Sequence, residues 1–280
     1  MAKPYRPQLT DAARPATFEV EAYNERDEMV PTSIAGEHPL TLYLDKRELV
    51  TLMTLGHAPE ALAIGYLRNQ RLVGAIEDIA SVQVDWETES VAVVTNRKLK
   101  GIGKKIARKT VTTGCGQGTV YGNLMEEIGS IRLRDDVILE DAQLFVLVEK
   151  VRKHETIYKQ SGAVHGCALA TRDGDILMFV EDVGRHNAVD AIAGFMWLEA
   201  IDGSDKVFYT TGRLTSEMVI KCAQMRIPFL VSRSGLTKMG HGIAQQVGLT
   251  MIGRASGRHY LAFTGRQRLK FTAPKPAALA

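Results

Sequence analysis

The sequence predicts an α/β fold, a parallel sheet flanked by helices and preceded by a smaller α+β unit. From Val207 onward, short apolar runs alternate with helix-period segments across brief links, the pattern of strand–helix–strand units. Before residue 96 the apolar runs come as pairs with a single helix among them. With 280 residues, 45% of them hydrophobic and 24% charged, the chain can bury a sizeable core in one large or two unequal domains.

The elements follow in order. Residues 1–15 carry three prolines and no apolar stretch of signal-peptide type, so they read as a loose arm and export is not expected. Phe18–Tyr23, Leu40–Leu44 and Glu48–Leu55 have strand length, and Gly56 ends the third. Pro59 suits the first position of a helix running from Glu60 to Asn69. Ile79–Val84 and Ser90–Val94 read as a second strand pair, closing a unit over 16–110.

A larger unit over 111–270 follows, with a loose tail at 271–280. Gln143–Glu155 is helical by spacing, with Leu144, Val148 and Val151 on one face. Gly166–Thr171 and Ile176–Val183 flank Asp173-Gly174, a hairpin signal. Asn187 is the expected cap of a helix over Ala188–Ala200, with Asp190 in the capping-box position. The alternation then runs through Val207–Thr211, Ser216–Met225, Phe229–Ser232, Thr237–Val247 and Leu249–Ile252.

Three strand ends share a pattern: Thr211-Gly212-Arg213, Val231-Ser232-Arg233 and Ile252-Gly253-Arg254. Ligands of open α/β sheets bind outside the carboxyl ends of strands. Three guanidinium groups beside helix N-termini suit a pyrophosphate, although arginines also start many solvent-facing loops. Glu181 to Asn187, E-D-V-G-R-H-N, follows an apolar run and reads as a ligand edge in which the acids orient Arg185 or His186. The alternative is a loop that holds itself together by hydrogen bonds.

Cys115 lies in T-T-G-C-G-Q-G, residues 112–118, where flanking glycines leave a sulfur accessible. Residues 97–109 just upstream hold seven Lys/Arg and no acid, which favours a nucleophilic thiolate. The same basic run fits a solvated face, or a patch for phosphates or an acidic partner. Nucleic acid is not expected, since no aromatic side chains interleave the charges. Cys167 and Cys222 read as buried packing residues. Three dispersed cysteines in all argue for a reducing, cytoplasmic compartment and against both a disulfide framework and a structural zinc site. No apolar run is long enough to span a membrane. His165-Gly166-Cys167 lacks the glutamate of a zinc deaminase, and the paired cysteines that would follow are absent.

The chain resembles the FdhD family from about Glu37 to Leu269. The likeness is carried by P-E-A-L-A-I-G-Y-L at 59–67, the Cys115 loop, G-A-V-H at 162–165, and E-D-V-G-R-H-N-A-V-D at 181–190. G-R-L-T-S-E at 212–217 and L-T-M-I-G at 249–253 continue it. The resemblance implies a cytidine-deaminase-like three-layer domain without zinc, preceded by a smaller domain, in a homodimer. It implies a sulfur carrier that receives persulfide sulfur from a cysteine desulfurase. The sulfur then passes to the molybdenum cofactor, bis-molybdopterin guanine dinucleotide, before its insertion into formate dehydrogenase. Cys115 matches the persulfide-bearing cysteine, and Arg254, Ala255, Ser256, Gly257, Arg258 and His259 match the cofactor-binding stretch. A cofactor with two guanine dinucleotides agrees with phosphate binding at Arg213, Arg233 and Arg254, next to Arg185 and His186. The sequence departs from the family's Cys-x-x-Cys at one place, where Gly118 stands for the second cysteine. A single thiol still suffices to carry and pass a terminal sulfur. The alternative reading is a non-enzymatic chaperone of the same cofactor. A cysteine hydrolase pairing Cys115 with His165 or His186 would further need a group that orients the histidine.

Overall fold

The computed structural model describes residues 4–97, 110–111, 118–119 and 128–272. Two sheets dominate it. The first has strand order β1-β6-β7-β4-β5, built from β1 (Gln8–Leu9), β4 (His38–Leu44), β5 (Arg47–Thr54), β6 (Ile79–Asp85) and β7 (Ser90–Thr95). A separate hairpin joins β2 (Thr17–Tyr23) to β3 (Met29–Ala35). Residues 5–14 are held rather than loose. The Tyr5 hydroxyl donates to the Ile79 carbonyl at 2.7 Å, β1 pairs with β6, and the Arg14 guanidinium stacks over the Trp86 ring. The outer edge of β6 offers unpaired backbone groups, and β1 satisfies them.

The second sheet has strand order β12-β11-β13-β14-β15-β16. Its strands are β11 (His165–Ala170), β12 (Ile176–Asp182), β13 (Val207–Thr210), β14 (Phe229–Ser232), β15 (Thr250–Ser256) and β16 (His259–Ala262). Only β13, β14 and β15 run parallel, whereas β11 is antiparallel to both β12 and β13, and β16 to β15. The expected parallel sheet is therefore mixed. Tight turns at Gly174 (φ +79°) and Gly257 (φ +56°) reverse the chain where a crossover helix would have kept it parallel. Beside this sheet, β10 (Leu139–Glu140) pairs in parallel with β17 (Leu269–Lys270), which ties down the chain that follows β16.

Period-2 alternation sends successive side chains to opposite faces. Ala168, Ala170, Val207, Tyr209, Phe229 and Val231 pack under α2 (Asp141–His154), against its Leu144, Leu147 and Val151. Cys167, Leu169, Phe208 and Leu230 face α4 (Arg185–Leu198), α5 (Ser216–Gln224) and α6 (Lys238–Val247) in the main core. That core continues without a break into the first sheet, through α1 (Pro59–Asn69) and its Leu62, Ile64 and Leu67. Both cysteines are packing groups, as expected, and burial pushes the Cys167 thiol up to about 12.

Helices α1 and α4 cross backbone to backbone. A Cβ built on Gly65 would overlap the carbonyl oxygen of Asp190, and one on Gly194 would overlap that of Ala61. Across the same crossing, the Arg68 guanidinium donates to the Ala193 carbonyl at 2.7 Å and stacks over Trp197. No described helix is long and apolar enough to cross a membrane.

Candidate functional site

Antiparallel pairing of β11 with β13 places the start of β11 beside the carboxyl ends of β13 and β14. His165 opens β11 there, half-buried, with Nδ1 3.4 Å from the Thr211 hydroxyl, which also accepts the Gly166 N–H at 3.1 Å. Burial holds its pKa below the ordinary histidine value, and the charges of Arg185, Arg233 and Arg213 lower it further. Three arginines read from separate segments of sequence thus lie near enough to this imidazole to act on its charge.

Each is positioned differently. Arg185 begins α4 and is buried against Gly212, where a Cβ would come within 2.5 Å of its Cδ. Its Nε is buried and has no hydrogen-bond partner among the described residues. Arg213 is exposed. Arg233 bonds the buried Glu155 at 3.0 Å and lies over the Tyr158 ring. The strand-end loops are tied to one another: Ser232 Oγ donates to the Gly212 carbonyl at 2.7 Å, and the Arg254 N–H donates to the Ser234 carbonyl at 2.9 Å. That backbone bond holds Arg254 in a bulge of β15, with φ +54°.

The rest of the expected site is scattered. Ala255 points into the core under α2, whereas Ser256, Gly257, Arg258 and His259 form the exposed tip of the β15–β16 hairpin. The Arg258 guanidinium lies over the Phe145 ring of α2. His186 turns away from the edge into the core between α4 and α5, 3.3 Å from Glu217, beside the buried Lys221–Asp190 pair at 2.7 Å. Helical geometry separates it from Arg185, since adjacent residues lie about 100° apart around the axis. The two acids do not orient Arg185 or His186 either. Glu181 accepts the N–H groups of Thr156, Ile157 and Tyr158 at 2.9–3.1 Å, capping α3 (Ile157–Ser161). Asp182 accepts from Thr54 Oγ1 at 2.6 Å, and from the Leu55 and Gly184 N–H groups. Asn187 is not the helix cap. Its amide donates to the Met53 carbonyl and to Asp182, and α4 starts two residues earlier, at Arg185. Much of this motif therefore joins the two sheets. Sequence reading missed both partners of Arg233: Tyr158 sits in a five-residue helix with no usable periodicity, and Glu155 reads only as the end of a longer helix.

Burial, with Lys221, Arg185 and His165 nearby, lowers the His186 pKa to about 2. Below the ordinary value of about 6.5 the unfolded chain takes up a proton that the folded chain refuses, so stability falls as pH drops. We expect His186→Gln to lose about 2 kcal/mol less than the parent between pH 7 and pH 5 in urea unfolding. Parallel pH profiles would contradict a neutral, buried His186.

Cys115 and the basic residues 98–109 lie outside the described residues. Their flanks are placed: β8 (Thr110–Val111) pairs antiparallel with β9 (Gly118–Thr119). Among the described residues no three or more His, Cys, Asp or Glu side chains gather as a metal site.

Residues 35–270 match the model of the FdhD/NarQ family. The chain belongs to that family. Sulfur carrier protein FdhD of Wolinella succinogenes is 32% identical over 242 residues, covering 86% of this chain and 84% of its own. The FdhD of Listeria monocytogenes is 28% identical over 254 residues, covering 90% of this chain and 95% of its own. The crystal structure of a candidate formate dehydrogenase accessory protein from Desulfotalea psychrophila superposes with a TM-score of 0.73. It covers 91% of this chain and 100% of its own at 24% identity, a likeness of fold. The FdhD-type residues at 181–190 thus include the joint between the two sheets of this chain, made by Asp182 and Asn187.

Proposed function

We propose that this chain is a sulfur carrier in formate dehydrogenase maturation. In this reading Cys115 takes persulfide sulfur from a cysteine desulfurase and passes it to bis-molybdopterin guanine dinucleotide held at the arginine edge. In the loading step the Cys115 thiolate attacks the outer sulfur of the donor persulfide, and the donor cysteine leaves as a thiolate. The observation that carries the cofactor half of the proposal is the placement of Arg213 and Arg233 just after β13 and β14, with Arg185 packed against Gly212, at the strand ends where an α/β sheet binds ligands. The sulfur half rests on the sulfur carrier relatives.

Guanosine diphosphate serves as a fragment of that cofactor. Arg213→Gln and Arg233→Gln are each expected to weaken its binding by roughly 1–3 kcal/mol, the range of a charge-assisted bond. Unchanged calorimetric affinity in both variants would remove the arginine edge from the proposal. Gly118, in place of a second thiol, favours one other reading, a chaperone that holds the cofactor without sulfurating it.

A further inference from the structure

A second basic cavity lies at the opposite edge of the same sheet. Asp202 and Ser204 precede β13, and Gln224 and Arg226 precede β14, so this site sits at the amino ends of the parallel strands. Arg213 and Arg233 follow the carboxyl ends. The cavity holds about 700 Å³, within the range of small-molecule sites. Arg71, Arg132, Arg134 and Arg226 line it with Asp202; Arg134 is forked onto Asp136, and Arg132 Nη1 donates to the Gly129 and Ile131 carbonyls at 2.8 Å.

The backbone does not account for these side chains. Arg71 and Arg226 sit just past the ends of α1 and α5 with φ +54° and +62°, a left-handed position that glycine fills at least strain. Helix-end dipoles favour a cation at each, but they say nothing of Arg132 and Arg134, which come from a separate segment. Gln224 stands in the wall, and both polar atoms of its buried amide lack a hydrogen-bond partner among the described residues. Buried amides are normally paired, and no described residue pairs this one. A neighbouring hollow of about 430 Å³ shares Asp202, Gln224 and Arg226 and reaches Trp197, which leaves room for the organic part of a ligand.

We infer that this cavity binds a phosphorylated small molecule, its phosphates held by the guanidinium groups of Arg71 and Arg226, with the positive charge of Arg132 and Arg134 alongside. Guanidinium groups gathered at one cavity suit a multiply charged phosphate better than a single carboxylate. The site is independent of the arginine edge proposed for the cofactor.

The test uses the full chain with inorganic pyrophosphate as the probe, followed by calorimetry. In an Arg213→Gln/Arg233→Gln background, which weakens the first edge, pyrophosphate is expected still to bind. Adding Arg71→Gly and Arg226→Gly is expected to weaken it about tenfold or more while the melting temperature stays level or rises, because glycine suits both backbone positions. Binding that disappears in the background variant, or that ignores the two glycine substitutions, would overturn the assignment. So would a polyglutamate peptide that occupies the cavity while pyrophosphate fails to displace it.

Discussion

Gly65→Ala is expected to cost about 4 kcal/mol or more, among the largest effects open to a single methyl group. The methyl group has nowhere to go. It would meet the Asp190 carbonyl oxygen, which belongs to the backbone of α4 and cannot rotate aside. Separating α1 from α4 would also disturb the bond from Asn69 to Asp190 (2.7 Å) and through it the ion pair of Asp190 with Lys221. A fall of about 10 °C in melting temperature would follow for a chain of this size. Gly194→Ala should behave alike. The double variant should cost less than the sum, because helices already parted by one methyl admit the second. Gly242→Ala is the control, since its added Cβ meets nothing within 4 Å. Melting of Gly65→Ala within about 2 °C of the parent would show that the crossing yields more easily than close packing implies.

What the sequence made legible follows from how local each signal is. Pro59 marked the start of α1, and Phe229–Ser232 emerged as β14 with the expected bounds, because both depend on neighbours in the chain. Arg213 and Arg233 do follow the ends of β13 and β14, because parallel strands bring their carboxyl ends to one edge, whereas Arg254 lies within β15 at a bulge. Other features depend on contacts across the fold. Glu181 and Asp182 look like ligand-orienting acids, yet their partners lie at Thr156 and Thr54, far away in sequence. Asn187 looks like a helix cap until Met53 is seen to claim its amide. His186 and Arg185 are adjacent in sequence but point to different environments, a separation that one turn of helix decides. The amino-edge cavity was invisible, because its four arginines are ordinary surface residues until α1, α5 and the 130–134 segment meet.

Cys115→Ala is expected to abolish the maturation of formate dehydrogenase while leaving the fold intact, since a sulfur carrier without its thiol has nowhere to form the persulfide. Formate dehydrogenase matured with this variant should contain molybdenum and pterin, lack the terminal sulfur and be inactive. Arg213→Gln/Arg233→Gln should fail at a different step, keeping the persulfide on Cys115 but losing cofactor affinity. The most direct measurement is mass spectrometry of the intact chain after incubation with a cysteine desulfurase and cysteine. The account predicts the gain of one sulfur atom, mapped to the peptide containing Cys115 and absent from Cys115→Ala. An unsulfurated natural chain, together with full formate dehydrogenase activity supported by Cys115→Ala, would contradict it.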